Sequence, residues 1–346
     1  MTLREELTKD NKRKYRVTIL VLLIVLAMAF LFALCVGKYH LELEKTLKIL
    51  WEGLILRAEQ DGNVETKVVL GIRLPRVIGA ILVGATLSVA GAVYQGIFRN
   101  PLVSPDFLGV SSGACIGAAI AILMALPSAF IQGFAFIGGI IAVSLTLAIP
   151  RLFKSDSNIL LVLSGIIING LMSSIMGFIK DTADPDTELA AITYWQMGSL
   201  STVFMKTILP VVLPMVISIA VVFAISWSID VVSLGEKEAK ALGVNVRKVT
   251  YIGVACATLM TAGAVCVAGT ISWVGLVVPH FARMLVGPDN RKLLPTSALI
   301  GAIFMLIVDT GCRNIGISEL PISILTGVIS APFYAFLLYK QRMRLQ

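Results

Sequence analysis

The chain has 346 residues, of which 57% are hydrophobic and 14% are charged, and its formal net charge is +8. A soluble globular domain carries about 25% charged residues, so this composition excludes an ordinary soluble protein and indicates a polytopic membrane protein. The positive charge does not call for nucleic acid, because cationic cytoplasmic loops account for such an excess in a membrane protein. Membrane lipid is therefore a predicted partner, and nucleic acid is not expected to be one.

Apolar segments of membrane length recur along the whole chain. A helix needs roughly 20 predominantly apolar residues to cross the hydrocarbon core of a bilayer. The pattern predicts an all-α polytopic membrane protein with a single transmembrane domain over residues 1–346. Spans 2–5 and spans 7–10 begin on opposite sides, which predicts two inverted four-helix units around span 6. The ten predicted spans lie at about residues 17–37, 72–98, 107–126, 131–149, 158–180, 207–226, 249–269, 271–286, 296–312 and 320–339.

The distribution of Lys and Arg predicts the orientation of these spans. An even number of spans puts both termini on one side, and most of the Lys and Arg residues fall in segments on that side. Because cytoplasmic loops carry an excess of these residues, both termini are expected in the cytoplasm. The first span follows NKRKYR, runs long and lacks a small-residue cleavage site. It is expected to be a retained helix in the plasma (inner) membrane of a prokaryote rather than a signal peptide.

Two segments on the predicted outer side are too polar to span. Residues 40–71 carry Leu43, Leu47, Leu50 and Leu54 near helical spacing, which predicts an amphipathic helix lying on the surface. The other segment, residues 185–206, contains TYWQMGSL and fits either a short external helix or a re-entrant turn.

A cytoplasmic loop over residues 227–248 is one of the longest polar breaks in the sequence. Within it, GEKEAKAL runs from Gly235 to Leu242 and is followed by Gly243, a suitable stop for a short helix. Ala239 and Leu242 are expected on one side of that helix, among Glu236 and other charged residues. A rigid, mixed-charge helix between two spans is typical of a docking element for a soluble partner. An ordinary solvated loop is the alternative.

No catalytic or metal-binding constellation is found in the sequence. The chain has two histidines and five cysteines, but it has no HExxH and no CxxC motif. It also lacks the Walker A lysine loop that cradles ATP phosphates. The chain is therefore predicted not to be an enzyme and to hold no metal, so any energy source must lie in another protein.

Several stretches together resemble the FecCD-type permease subunit of type II ABC importers, which take up iron–siderophore complexes, haem and cobalamin. Each motif is modest alone, but their shared order and spacing are specific, and the resemblance covers roughly residues 15–340. The stretches are GIRLPRVIGAILVGATLSVAGAVYQGIFRNPLVSPDFLGVSSGA (71–114), YWQMGSL (194–200), GEKEAKALGVNV (235–246), WVGLVVPHFARMLVGPDNRKLLP (273–295) and ELPISILTGVISAPFYAFLL (319–338).

The resemblance implies an assembly around this chain. Two permease subunits, identical or paralogous and each with ten helices, enclose a central pathway. Two ATP-binding subunits lie below them, and an extracytoplasmic substrate-binding protein docks above. The chain itself is then expected to bind no cofactor, because ATP and Mg²⁺ are held by the partner subunit.

The resemblance also assigns roles to particular residues. The helix at 235–243 is similar to the coupling helix that docks on the ATP-binding subunit, with Gly235, Glu236, Ala239, Leu242 and Gly243 as the ATPase-coupling residues.

Three arginines are expected to lie at a wet outer rim and to meet acidic residues of the binding protein. They are Arg73, Arg76 and Arg313. Guanidinium forks at such a rim supply charge complementarity. The alternatives are an interfacial arginine reaching toward water and, for Arg313, an ion pair with Glu319.

Spans 5 and 10 line the pathway in the family, which makes the polar and methionine residues of span 5 the candidate pathway residues. These residues are Asn169, Met172, Ser173 and Met176. In span 9, the charge of Asp309 either marks a functional site or forms a structural pair with Arg313, four residues on. Where the family commonly has Asp-His-Arg, this chain has Asp289-Asn290-Arg291, which argues against an essential titrating role at position 290.

The sequence as a whole predicts the permease of an ATP-driven importer. An iron–siderophore chelate is the first choice of cargo, and haem or cobalamin is the alternative. A more remote alternative is a secondary transporter working alone, which would need intramembrane ion sites, and Asp309 is the one clear candidate for such a site.

Overall fold

A computed structural model describes residues 3–54, 63–154, 158–316 and 318–342, and over these residues the chain is all-helical. A π-helical segment, Lys67–Arg73, runs directly into the fourth helix, and a 3₁₀ turn, Pro105–Leu108, precedes the fifth. The helices are α1 (Leu3–Cys35), α2 (Leu43–Leu54), α3 (Val64–Thr66), α4 (Leu74–Phe98), α5 (Val110–Leu123), α6 (Ser128–Leu152), α7 (Asn158–Thr182), α8 (Glu188–Gln196), α9 (Met205–Ala224), α10 (Ser226–Leu234), α11 (Glu236–Ala241), α12 (Val246–Ala268), α13 (Val274–Val286), α14 (Asn290–Asn314) and α15 (Ile322–Arg342).

The predicted fold class, an all-α polytopic membrane protein, is confirmed. Within the described residues, seven helical stretches are long and apolar enough to cross a membrane, and three shorter apolar helices accompany them. The long stretches are Lys12–Cys35, Val64–Phe98, Ser128–Leu152, Ile159–Thr182, Met205–Ala224, Val246–Ala268 and Asn290–Asn314, and the shorter ones are Val110–Leu123, Val274–Val286 and Ile322–Phe336. Each coincides with one predicted span, while the number of crossings and the inverted four-helix units stay predictions.

The centre of the bundle is built on α4 and α12, whose residues are mostly buried. The first of these helices packs against α12, α13 and α14. Alanine, valine and glycine dominate the contact faces, because small side chains let helix backbones approach closely where the solvent is lipid. At two crossings glycine meets glycine, since a Cβ built on Gly84 would overlap the backbone of Gly301 and one on Gly91 would overlap that of Gly275.

These crossings lead to a test of the packing. Replacing Gly91 with alanine is expected to lower the free energy of unfolding by about 1–3 kcal/mol, since the added methyl group meets rigid backbone. Gly133→Ala is the matched control, because nothing lies within 4 Å of a Cβ at that position. That control should be neutral or stabilising by up to about 1 kcal/mol. Thermal unfolding in detergent measures the change in stability of both variants. Equal changes in Gly91→Ala and Gly133→Ala would contradict the close packing at Gly91.

The segments between the spans are also helical. The predicted surface helix is α2, in which Leu43 and Leu47 are exposed and Leu50 is half-buried. The side chain of Leu54 and all of residues 55–62 lie outside the described part of the chain. The segment after α7 forms the short helix α8, which decides between the two predicted possibilities. One helix, α10, was not predicted by the sequence analysis and leads directly into α11.

Candidate coupling and docking sites

The predicted coupling helix is present as α11, at one end of the bundle. It begins after Gly235, whose φ of 138° favours glycine, and it ends at Ala241, two residues before Gly243, which adopts a φ of 75°. Both glycines therefore act as the breaks that the sequence predicted. Along the helix, Lys240 Nζ lies 2.7 Å from Glu236 Oε1. The hydrogen bond and charge of this lysine lower the pKa of Glu236.

Ala239 of α11 and Leu242, the cap residue that follows the helix, differ in burial. Ala239 is fully buried in the core cluster that includes Val232 and Val244, so it anchors the helix to its own chain. Leu242, in contrast, is 55% exposed. The expectation that Ala239 and Leu242 share one side is therefore wrong, because Leu242 is the cap residue at the end of the helix.

The loop that carries α11 is fastened to the bundle by a buried amide. Asp230 of α10 accepts hydrogen bonds from the backbone nitrogen of Asn290 at 2.9 Å and from its side-chain Nδ2 at 2.7 Å. Burial raises the pKa of Asp230, although these hydrogen bonds oppose the shift. Asn290 begins α14, so the contact joins the segment that carries α11 to a central helix. The side-chain amide of Asn290 donates to this carboxylate, and the absence of a titrating role at position 290 stays a prediction.

The opposite end of the bundle holds the three candidate docking arginines. Arg73 donates from Nη1 to the carbonyl oxygens of Leu34 at 2.6 Å and Cys35 at 2.9 Å, and from Nη2 to the carbonyl of Tyr39. These carbonyls lie at and just after the C-terminus of α1, where a cation is favoured by the helix dipole. Arg73 therefore links the C-terminus of α1 to the start of α4.

Arg76 and Arg313 share one buried carboxylate. Arg76 Nε lies 2.9 Å from Asp309 Oδ1, and Arg313 Nε lies 3.2 Å from Asp309 Oδ2. Arg76 also reaches Glu319, with 2.9 Å between Nη1 and Oε2. Arg313 Nη2 donates to the carbonyl of Ala33 at 3.1 Å. The result is a buried network that joins α1, α4 and α14 to the segment before α15.

The structure corrects the expected surroundings of these arginines. They are 5%, 4% and 6% exposed in the order Arg73, Arg76 and Arg313, so none presents a free guanidinium at a wet rim. Glu319 forms its ion pair with Arg76. The alternative, in which Glu319 pairs with Arg313, is therefore wrong. The predicted Asp309–Arg313 pair is present, and Arg76 is a second partner that sequence reasoning missed. The role of the arginines in docking stays a prediction.

The candidate pathway residues lie on different sides of α7. Asn169 accepts a hydrogen bond from Ser112 Oγ at 2.7 Å and donates to the carbonyl oxygen of Asp106 at 3.0 Å. Met172 and Met176 are 7% and 8% exposed, and Ser173 is exposed. Both methionines pack inside the chain, and a pathway role for them stays a prediction. Asn169 binds the turn before α5, which leaves Ser173 as the candidate on an open face.

Within the described residues, no group of three or more His, Cys, Asp or Glu side chains is placed to hold a metal ion. The fold therefore defines the class as an all-helical polytopic membrane protein, with a short polar helix at one end of the bundle and a buried ion-pair network at the other.

The chain belongs to the FecCD transport family, whose sequence pattern matches residues 22–340. It is thus a permease subunit of the type II ABC importer kind, and the resemblance noted in the sequence is confirmed.

Known proteins similar to this chain support the assignment. The molybdate import system permease protein MolB of Haemophilus influenzae is 35% identical over 92% of this chain and 94% of its own length. A probable iron chelatin transport system permease protein of Helicobacter pylori is 41% identical over 80% of this chain and 83% of its own. A solved inward-facing structure of a metal-chelate type ABC transporter has a TM-score of 0.83 and 34% identity, and covers 93% of this chain and 98% of that one.

Proposed function

We propose that this chain is the permease subunit of an ATP-driven importer that moves an iron–siderophore type chelate into the cytoplasm. The observation that carries the proposal is the rigid helix α11, which buries Ala239 and exposes Leu242 at 55%. An ATP-binding subunit, which hydrolyses ATP with Mg²⁺, would bind this exposed end of the helix. Its movement would reach α14 through Asp230 and Asn290.

The proposed assembly has a second permease subunit, two ATP-binding subunits and an extracytoplasmic binding protein. The exposed face of α7 supports the second permease, since Gly170, Ser173, Ser174 and Gly177 are all exposed there. Small residues on such a face let a neighbouring helix approach closely. The excess of Lys and Arg on the α11 side supports an orientation in the plasma (inner) membrane with both termini cytoplasmic.

The binding protein would dock at the arginine end. Of the two acidic residues in the buried network, Glu319 has a side chain that is 32% exposed, while Asp309 is fully buried. A carboxylate of the binding protein would therefore compete with Glu319 for Arg76 more easily than with Asp309. Pairing of Asp309 with two arginines also argues against a stand-alone transporter, because the buried charge is already neutralised.

The cargo is the finer part of the proposal. An iron chelate is favoured because the Helicobacter pylori relative carries that name and the family commonly serves iron. Molybdate is a second candidate on the name of the Haemophilus influenzae relative. Haem and cobalamin remain the alternatives that the family resemblance offers.

Uptake by proteoliposomes tests this proposal. The vesicles would contain this chain with its ATP-binding subunit and binding protein, and would be offered labelled ferric siderophore, haem, cobalamin or molybdate. ATP-dependent uptake of the ferric siderophore is expected. If only another cargo were taken up in an ATP-dependent way, the proposed cargo would be wrong. If uptake did not depend on ATP, the importer mechanism would be wrong and a stand-alone transporter would be favoured.

A further inference from the structure

The surface helix α2 has one face that packs on its own bundle. Residues three or four apart in a helix lie on the same face, which joins Thr46, Leu50 and Gly53. Thr46 is fully buried and Leu50 is half-buried. A Cβ built on Gly53 would overlap the side chain of Leu70 in the π-helical segment. This packed face fixes the orientation of α2 on the bundle.

A second face of α2 is charged and carries Lys45, Lys48 and Glu52. Lys48 Nζ lies 3.9 Å from Glu52 Oε1. Lys45 Nζ lies 3.4 Å from Oε1 of Glu65, which follows α2 in the chain. Glu65 therefore lies on the charged side of the helix. Charged groups of this kind are suited to water and to lipid headgroups.

The third face is an exposed apolar row, the α2 stripe, formed by Leu43, Leu47 and Trp51. These residues are spaced by four positions and are 51%, 46% and 59% exposed in that order. At about 100° per residue, the α2 stripe lies between the packed face and the charged face. An exposed apolar row on a helix of fixed orientation indicates a contact with lipid or with another protein.

The end of α1 indicates the depth at which α2 lies. Cys35 is the last residue of α1 and of the apolar stretch Lys12–Cys35, and its Sγ lies 3.7 Å from Thr46 Oγ1. Little of that stretch is buried within the chain, and Met28 and Phe32 near its end are exposed. The surface around the last turns of α1 therefore faces lipid. Because α2 packs at the end of this stretch, the α2 stripe lies where the first span leaves the hydrocarbon.

We infer that α2 lies in the plane of the membrane and inserts the α2 stripe between the lipid headgroups and the upper acyl chains of the outer leaflet. An amphipathic helix at this boundary buries its apolar face by about 5–10 Å. Tryptophan is enriched there because its ring is apolar and its N–H is polar, which fits Trp51 in the stripe.

Two observations favour lipid over a soluble partner on the α2 stripe. The helix lies at the depth of the membrane boundary, and the exposed surface of α1 beside it already faces lipid. The inference rests on the proposed function in one respect, namely that this end of the bundle faces the outside of the cell.

The fluorescence of Trp51 in proteoliposomes of the complete transporter tests the inference. The chain has four tryptophans, so the signal of Trp51 is taken as the difference between the unaltered chain and Trp51→Phe. We expect this signal to be lost in phosphatidylcholine brominated on its upper acyl chains, and to resist acrylamide in the water. If acrylamide quenched the signal and the brominated lipid did not, the α2 stripe would face water and the inference would be wrong. If neither quencher acted, a protein surface would cover the stripe and the inference would also be wrong.

The matched control moves the tryptophan to the charged face of the same helix. In the double variant Trp51→Phe/Lys45→Trp, the new ring replaces an exposed lysine whose surface ion pair contributes little to stability. Acrylamide should quench the fluorescence from position 45, and the brominated lipid should leave it unchanged. Equal quenching of positions 45 and 51 by the brominated lipid would contradict the orientation inferred for α2.

The depth of the bromine atoms distinguishes a helix at the boundary from one within the hydrocarbon. Phosphatidylcholine brominated near the ends of its acyl chains should quench Trp51 less than lipid brominated on the upper part of the chains. Stronger quenching by the deeper bromine atoms would contradict a position of α2 at the headgroup boundary.

The same proteoliposomes separate this inference from the proposed function. ATP-driven uptake by a transporter whose Trp51 is open to acrylamide contradicts the lipid contact alone. Quenching of Trp51 by brominated lipid in a transporter that takes up no cargo with ATP contradicts the importer and leaves the lipid contact of α2 standing.

Discussion

Replacing Leu242 with aspartate is expected to reduce ATP-driven uptake at least about tenfold while the chain still folds. The side chain is 55% exposed and packs little against its own chain, so the substitution leaves the bundle unchanged. In the assembled transporter, burial of a leucine against a partner contributes about 1.5–3 kcal/mol, and each 1.4 kcal/mol corresponds to a tenfold change in binding. An aspartate at position 242 would lose that contribution, and removing its carboxylate from water at the interface would add a cost.

Two measurements would follow this variant. Co-purification of the ATP-binding subunit reports docking, and uptake reports transport. The control is Leu102→Asp, the same substitution at a leucine that is 48% exposed in the turn after α4. It should leave both measurements near those of the unaltered chain. If Leu102→Asp were as damaging as Leu242→Asp, α11 would have no special part in coupling.

The second large effect is expected at Asp309. Replacing this residue with alanine should lower the free energy of unfolding by about 3–5 kcal/mol, because it leaves Arg76 and Arg313 as buried cations without their shared carboxylate. Unfolding in mixed detergent micelles would measure the change. Asp186→Ala is the control, since that residue is exposed in the turn before α8 and its loss should change stability by less than about 0.5 kcal/mol.

A rescue variant makes the cause of that effect testable. Adding Arg313→Met to Asp309→Ala removes the cation whose ion pair is lost, since Arg76 keeps its pair with Glu319, and replaces it with an apolar side chain. Breaking a buried pair costs more than replacing it, so the double variant should recover part of the lost stability. A double variant that is less stable than Asp309→Ala would show that the charge pairing is not what Asp309 contributes.

The spans could be predicted from the sequence because each is an uninterrupted apolar stretch of membrane length. Every predicted span coincides with a long or a shorter apolar helix of the structure. The helix α10 was missed because SWSIDVVSL mixes polar and apolar residues over only nine positions. It is stabilised by tertiary packing, since Ile229, Val231 and Val232 are buried in the core.

The side-chain partners of the site were less accessible to sequence reasoning. Asp309 and Arg313 are four residues apart on one helix, and their pairing was predicted as one of two interpretations. Arg76 lies 233 positions from Asp309, so no local pattern joins them. The partners of Asn169 are likewise distant in the sequence, so no local pattern predicts them. A polar residue in an apolar span looked like a pathway residue, but its partners are in the turn around Asp106 and in Ser112, far earlier in the chain.

The central claim is that α11 is the surface through which an ATP-binding subunit acts on this chain. A photo-crosslinking amino acid at position 242, in the intact complex in membranes, tests it most directly, with position 186 at the far end of the bundle as the comparison. We expect an adduct of position 242 with the ATP-binding subunit, and no such adduct from position 186. An adduct with that subunit from position 186 but not from position 242 would contradict the claim.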